Sequence, residues 1–200
     1  MPIHSRSDYL HYLQADLFNS NLERWTLAEY LKNDVMRYQR ILRKLEYYLN
    51  CKPHWWSKPM QWYLRWRRIR LGGRLGITIS PNCFGPGLSI AHPGSLVVND
   101  GVTVGKNCRI HSCVNIGLYR NQAPQLGDNV YIGPGAKLFG GIRIGDNVAI
   151  GANAVVNKDV PPNVTVGGVP AQIISRKDSS SLIPALIKSP PANVAQASRL

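Results

Sequence analysis

Two histidines stand where proton chemistry is easiest to imagine. His92 lies in IAHPGS and His111 in RIHSCV, and of the five histidines in the chain only these fall inside its repetitive half. A neutral imidazole takes up a proton near physiological pH, so each is a candidate general base for activating a hydroxyl. Gly94, two residues beyond His92, would let backbone approach a ligand. Lys158, at the corner before VPP, is a cation suited to phosphate. Cys51, Cys83, Cys108 and Cys113 form no Cys-x-x-Cys pair, so they predict neither a disulfide framework nor a zinc site.

What must position these residues is a repeat. From Leu126 an aliphatic residue recurs every sixth position, at Leu126, Ile132, Leu138, Ile144, Ile150 and Val156. Four places after an aliphatic come Val130, Ala136, Ile142, Val148 and Ala154. An earlier block keeps the period at Phe84, Ile90 and Leu96, then at Val104, Ile110 and Ile116 after a two-residue slip. A six-residue period suits neither an amphipathic helix nor hairpin strands alone, and marks a β-solenoid. Glycine and asparagine, as in GDN at 127–129 and 145–147, supply corners that tolerate positive φ. The expected fold is mainly β: a left-handed parallel β-helix of hexapeptide repeats over 76–176.

The flanks differ. Residues 1–75 read as a helical, basic segment, with helices over 7–18 and 22–49, the second striped by Leu27, Leu31, Val35, Tyr38, Leu42, Leu45 and Leu49. Helices before the first coil would cover the open solenoid end. The segment 177–200, rich in Ser, Pro and Ala, reads as a flexible tail.

The formal charge is +13, much of it on Arg37, Arg40, Arg43, Lys44, Arg65, Arg67, Arg68, Arg70 and Arg74. A polyanionic acceptor, anionic lipid or a solvated face would each account for it; no RNP sequence, basic zipper or Cys/His finger accompanies it, so nucleic acid is not expected. The aromatic and arginine mixture from Trp62 to Leu71 suits either peripheral membrane contact or packing on the first coil. The opening residues lack a signal-like apolar run and no stretch is long enough to span a bilayer. These features predict a cytoplasmic protein, at the inner face of the membrane if the basic segment touches it.

The repeat, the segment LSIAHPGSLVVNDGVTVGKNCRIHSCVNIG and the ending NKDVPPNVTVGGVPAQII together resemble the hexapeptide acyltransferases, most closely the serine O-acetyltransferase type found in polysaccharide gene clusters. The resemblance implies an acetyl-CoA-dependent O-acetyltransferase with His92 as the catalytic base. It places Gly133, Ala136 and Ala152 along the pantetheine arm, with Asn157 and Lys158 toward the nucleotide, in a groove between subunits of a homotrimer or of a dimer of trimers. Acceptor contacts are expected from His111, Asn115 and Arg120, although for His111 the structural reading is the stronger one.

Departures from the family bear on the acceptor. The serine enzymes place an acidic residue before the catalytic histidine, where this chain has Ala91. Thr78, Gln122 and Ala123 likewise replace charged or polar groups that would recognise an amino acid, and Gln172 stands where an arginine is frequent. The expected acceptor is therefore a sugar hydroxyl in capsule or other glycan synthesis, with L-serine as the alternative. A metal-binding or non-catalytic β-helix is the third reading, but two histidines fall short of the three protein ligands of an open zinc site, and no metal is expected.

Overall fold

The computed structural model describes residues 2–187. Its centre is a left-handed parallel β-helix with three sheets as the faces of a prism. One face stacks β1 (Ile77–Ile79), β3 (Leu96–Val98), β6 (Asn115–Gly117), β9 (Lys137–Phe139) and β12 (Val155–Val156). A second stacks β2 (Ser89–Ile90), β5 (Arg109–Ile110), β8 (Tyr131–Ile132), β11 (Ala149–Ile150) and β13 (Thr165–Gly167), on which β14 (Gln172–Ser175) folds back antiparallel. The third holds β4 (Thr103–Val104), β7 (Gln125–Leu126) and β10 (Arg143–Ile144).

The hexad aliphatics form the inner columns. Ile90, Ile110, Ile132, Ile150 and Val166 are in register on one face, Val98, Ile116, Leu138 and Val156 on another, and Val104, Leu126 and Ile144 on the third. All are buried, each contributing roughly 1.5–3 kcal/mol of burial free energy. The small residues between them, Ala136 and Ala154 among them, fill the remaining space inside.

At one corner Asn107, Asn129, Asn147 and Asn163 all adopt positive φ and form a ladder of side-chain hydrogen bonds at 2.8–2.9 Å. Asparagine is enriched there because it tolerates this backbone while its amide bonds onward. The two-residue slip after Leu96 is absorbed by a turn at Asp100 and Gly101. The gap before Leu126 is a loop whose Arg120 and Asn121 both have positive φ, with Tyr119 and Gln122 exchanging backbone hydrogen bonds at 3.0 Å.

Helices close the open end. They are α1 (Arg6–Asn19), α2 (Leu27–Lys32), α3 (Asp34–Cys51) and α4 (Lys58–Leu75). The edge of β2 and the chain before it have no preceding coil to pair with, and buried helix side chains replace that partner. Asp16 Oδ1 accepts from the Gly87 and Leu88 amides at 2.9 and 2.8 Å. Arg43 donates to the Phe84 and Gly85 carbonyls at 2.9 and 2.7 Å, and Gln39 bonds the Leu88 carbonyl and the Ile90 amide. Asp16 and Glu46 neutralise Arg43 at 2.8 and 3.0 Å. Helices and prism share one hydrophobic core running from Tyr38 to Val166.

Two sequence expectations change. The helix expected over 22–49 is broken at Asn33, whose side chain accepts from the Met36 amide at 3.0 Å and starts α3 afresh. Leu27 and Leu31 consequently leave the apolar stripe and are exposed, whereas Tyr38, Leu42 and Leu45 stay buried. In the expected flexible tail, residues 178–187 are ordered: a 3-10 turn at Ser180–Leu182 leads into α5 (Pro184–Ile187). Ile183 is buried there, and the Ala185 amide donates to Asn19 Oδ1 of α1 at 3.0 Å. The remainder of that segment lies outside the described residues.

All four cysteines are free thiols, and burial pushes Cys83 up to about 12. No helix among the described residues is long and apolar enough to cross a membrane.

Candidate active site

The alternation of a short strand sets the site. In β5, Ile110 points into the prism, so Arg109 and His111 on either side of it point outward. Register places Arg109 between Ser89 and Tyr131, and successive backbone bonds align Ala91, His111 and Gly133. His92 follows one residue beyond Ala91, at the end of the six-stranded face, where the backbone turns through Pro93 and Gly94.

His92 is exposed and His111 half-buried, with ring centroids 6.1 Å apart. The edge of Tyr131 packs on His111 at 5.2 Å. Burial, then the neighbouring Arg109 and His92, hold the His111 imidazole below its ordinary pKa. Nε2 of His111 is buried without a hydrogen-bond partner among the described residues.

A cavity of about 580 Å³ opens between the helices and the first coils; it is lined by Ala91 and Pro93, the sequence neighbours of His92, but by neither histidine itself. Ala91, Pro93 and Arg109 contribute from the solenoid, and Glu29, Lys32 and Asp34 from the helices. Both signs of charge thus face one space. Arg109 also donates to Ser89 Oγ at 3.2 Å, which fixes its stem on the prism wall.

Gly94 has a different reason to be glycine than ligand approach. Its φ is +141°, and a Cβ would meet Ser112 Cβ at 2.9 Å, so the next coil requires the small residue.

The other expected site residues separate. Asn115 is exposed on the five-stranded face and Arg120 on the loop that leaves it, stacked over Tyr119 at 5.2 Å. Within one chain neither is joined to the histidine pair. Of the residues expected along coenzyme A, Ala136 is fully buried in the prism core, and Gly133 is buried with Ile150 O only 2.8 Å from where a Cβ would stand. These two do not present surface to a ligand, because the small hexad position faces inward or against the next coil. Ala152, Asn157 and Lys158 are exposed, as are Arg176 and Lys177.

Arg109 was not among the sequence candidates. Its signal is the triplet Arg109-Ile110-His111, where one inward aliphatic forces both neighbours onto the same outer face. The helical half of the cavity has no such local signal. Among the described residues, no group of three or more His, Cys, Asp or Glu is placed to hold a metal ion.

Residues 123–158 match the family of bacterial transferase hexapeptide repeats (six repeats). The serine acetyltransferase of Synechococcus elongatus is 41% identical over 106 residues, which cover 50% of this chain and 43% of that protein. That of Mycobacterium tuberculosis is 39% identical over 110 residues, covering 52% and 48% respectively. The matched region thus spans about half the length of these curated relatives. Among solved structures, the Neisseria gonorrhoeae serine acetyltransferase in complex with serine aligns with TM-score 0.67 and 27% identity, over 86% of this chain and 71% of that one. The Brucella abortus serine acetyltransferase in complex with coenzyme A aligns with TM-score 0.67 and 26% identity, over 85% and 67%. The chain thus carries the bacterial transferase hexapeptide repeat over residues 123–158, and in its prism and capping helices it resembles the serine acetyltransferases.

Proposed function

We propose that the protein transfers the acetyl group of acetyl-CoA to a small hydroxyl acceptor, with L-serine as the leading candidate and His92 as the general base. The observation that carries this reading is the exposed His92 imidazole just after β2, with the His111 ring 6.1 Å away and with Ala91 and Pro93 on either side of it lining a cavity of mixed charge. The acceptor O–H gives its proton to His92 as the oxygen attacks the thioester carbonyl. The tetrahedral oxyanion then collapses, the C–S bond breaks, and the departing thiolate takes the proton back from the imidazolium. A thioester is already activated, so a positioned base and two substrates held end to end suffice.

L-serine is favoured by the names of the relatives and by the cavity. Arg109 and Lys32 are suited to a carboxylate, and Glu29 and Asp34 to an ammonium. This reverses the preference drawn from the sequence, where the charges that recognise an amino acid were missing from the repeat. A neutral sugar hydroxyl is kept as a second reading on one observation: Ala91, the residue before His92, carries no charge. Release of coenzyme A, followed with a thiol reagent across L-serine and a panel of sugars and nucleotide sugars, separates the two. Turnover at least about tenfold faster in kcat/KM with L-serine, equivalent to ~1.4 kcal/mol, is expected. The opposite ranking would transfer the assignment to the sugar.

The coenzyme A arm is assigned to the exposed surface near Ala152, with Asn157 and Lys158 toward the phosphates and Arg176 or Lys177 as further cations. A single flat prism face encloses no long arm, so the groove is proposed to form between subunits of a homotrimer. Light scattering should give the trimer mass or a multiple of it. A monomer mass at micromolar concentration would remove the inter-subunit groove.

A further inference from the structure

Helix α4 carries a surface that acetyl transfer does not use. Its inner side buries Leu64 and Leu71. On the opposite side Trp62, Trp66 and Ile69 recur at i, i+4 and i+7, exposed by 67%, 55% and 65%. Trp55 and Trp56, in the turn leading into the helix, are exposed by 79% and 63%. Scattered exposed apolar residues are ordinary, but four of the chain's five tryptophans on one helix and its lead-in mark an interaction surface.

Charge identifies what it meets. By helical angle, Arg65 flanks the Trp62–Trp66–Ile69 ridge on one side and Arg70 and Arg74 on the other. The guanidinium of Arg65 stands 5.8 Å from the Trp62 ring centroid, and that of Arg70 stands 5.5 Å from Trp66. The helix has no carboxylate anywhere along KPMQWYLRWRRIRLGGRL. Beside it, Arg37, Arg67, Arg70 and Arg74 converge with Tyr30 and Trp66 on a cavity of about 230 Å³, and among the described residues only Arg37 of these four is in an ion pair.

A second copy related by a two-fold axis fits the face poorly. Two-fold pairing would set Arg65, Arg70 and Arg74 against their own equivalents with no carboxylate on the face to relieve them. Single-stranded nucleic acid prefers a groove that tracks its backbone, whereas the tryptophans here form a convex ridge. A bilayer satisfies every feature at once: indole rings settle at the headgroup level, and guanidinium groups pair with lipid phosphates.

We propose that the outer face of α4 docks on a bilayer of anionic lipid, with the helix lying in the interfacial plane. Trp62, Trp66 and Ile69 enter the headgroup–acyl boundary, Arg65, Arg70 and Arg74 hold phosphates, and the Arg37–Arg67–Arg70–Arg74 cavity receives a headgroup. The surface is separate from His92 and its cavity, so docking places the enzyme without entering the reaction.

The test is co-sedimentation of the full chain with vesicles of phosphatidylcholine alone or mixed with phosphatidylglycerol, at low and high salt. Binding to the anionic vesicles, a blue shift in tryptophan emission and loss of binding at high salt are expected. W62S/W66S/I69S should abolish the blue shift. R65Q/R70Q/R74Q should weaken binding by roughly a hundredfold. All these positions are at the surface, so circular dichroism and coenzyme A release in solution should match the parent chain for both variants. No sedimentation with anionic vesicles, equal binding to both compositions, or binding indifferent to both variants would overturn the proposal. A fall in oligomer mass on W62S/W66S/I69S would assign the face to a second copy instead. Binding of a poly(U) oligonucleotide that displaces the vesicles would assign it to nucleic acid.

Discussion

Replacing His92 with alanine is expected to lower turnover on the order of a hundredfold or more while leaving coenzyme A affinity nearly unchanged. The side chain is exposed, so truncation removes no core atom and opens no cavity. What is lost is the group proposed to accept the hydroxyl proton during attack. The surface assigned to coenzyme A, around Ala152 and Lys158, belongs to later coils and does not depend on the ring. His111→Ala is expected to cost much less, because burial and the neighbouring Arg109 and His92 lower its pKa and leave it a weaker proton acceptor than an ordinary imidazole. Equal losses in the two variants, or a collapse of coenzyme A binding in His92→Ala, would show that the base has been assigned wrongly.

The second large effect concerns the joint between helices and prism. Arg43 is completely buried, paired with Asp16 and Glu46, and donates to two carbonyls of the first coil. Arg43→Met should destabilise the protein by ~3–5 kcal/mol, because it strands two buried carboxylates and leaves the Phe84 and Gly85 carbonyls unpaired. For a chain of this size that corresponds to a fall in Tm of roughly 6–20 °C. Arg37→Met is the control: its ion pair with Asp34 lies nearer the surface and should be worth ~0–1 kcal/mol. Thermal unfolding followed by circular dichroism reads both. Similar small shifts in the two variants would mean that the network does not carry the joint.

The repetitive half was legible because each hexad performs the same physical task. Leu126, Ile132, Leu138, Ile144, Ile150 and Val156 fill equivalent places in a prism, so the period in sequence is the period in space. Corner asparagines were legible for the same reason. The joint was not: Asp16, Arg43 and Glu46 look like ordinary helix charges until the fold brings Asp16 to Arg43 and both to the edge of β2. Asn33 reads as a helical residue by periodicity, yet its cap redirects the chain and exposes Leu27 and Leu31.

The site divides in the same way. His92 was singled out from IAHPGS, whereas Ala136, placed along the pantetheine arm by the resemblance, has its side chain inside the prism. The charges lining the cavity had no local signal: Glu29, Lys32 and Asp34 come from helices far away in sequence to a space that, of the uncharged positions in the repeat that bear on the acceptor, only Ala91 lines.

The most direct measurement mixes the purified chain with acetyl-CoA and L-serine, follows loss of the thioester absorbance, and identifies the product by mass spectrometry. One O-acetylserine formed per coenzyme A released, at a rate that falls with His92→Ala but not with W62S/W66S/I69S, is the predicted result. Retention of the thioester with L-serine and with every sugar acceptor, by a chain that remains folded, would contradict the assignment of an O-acetyltransferase.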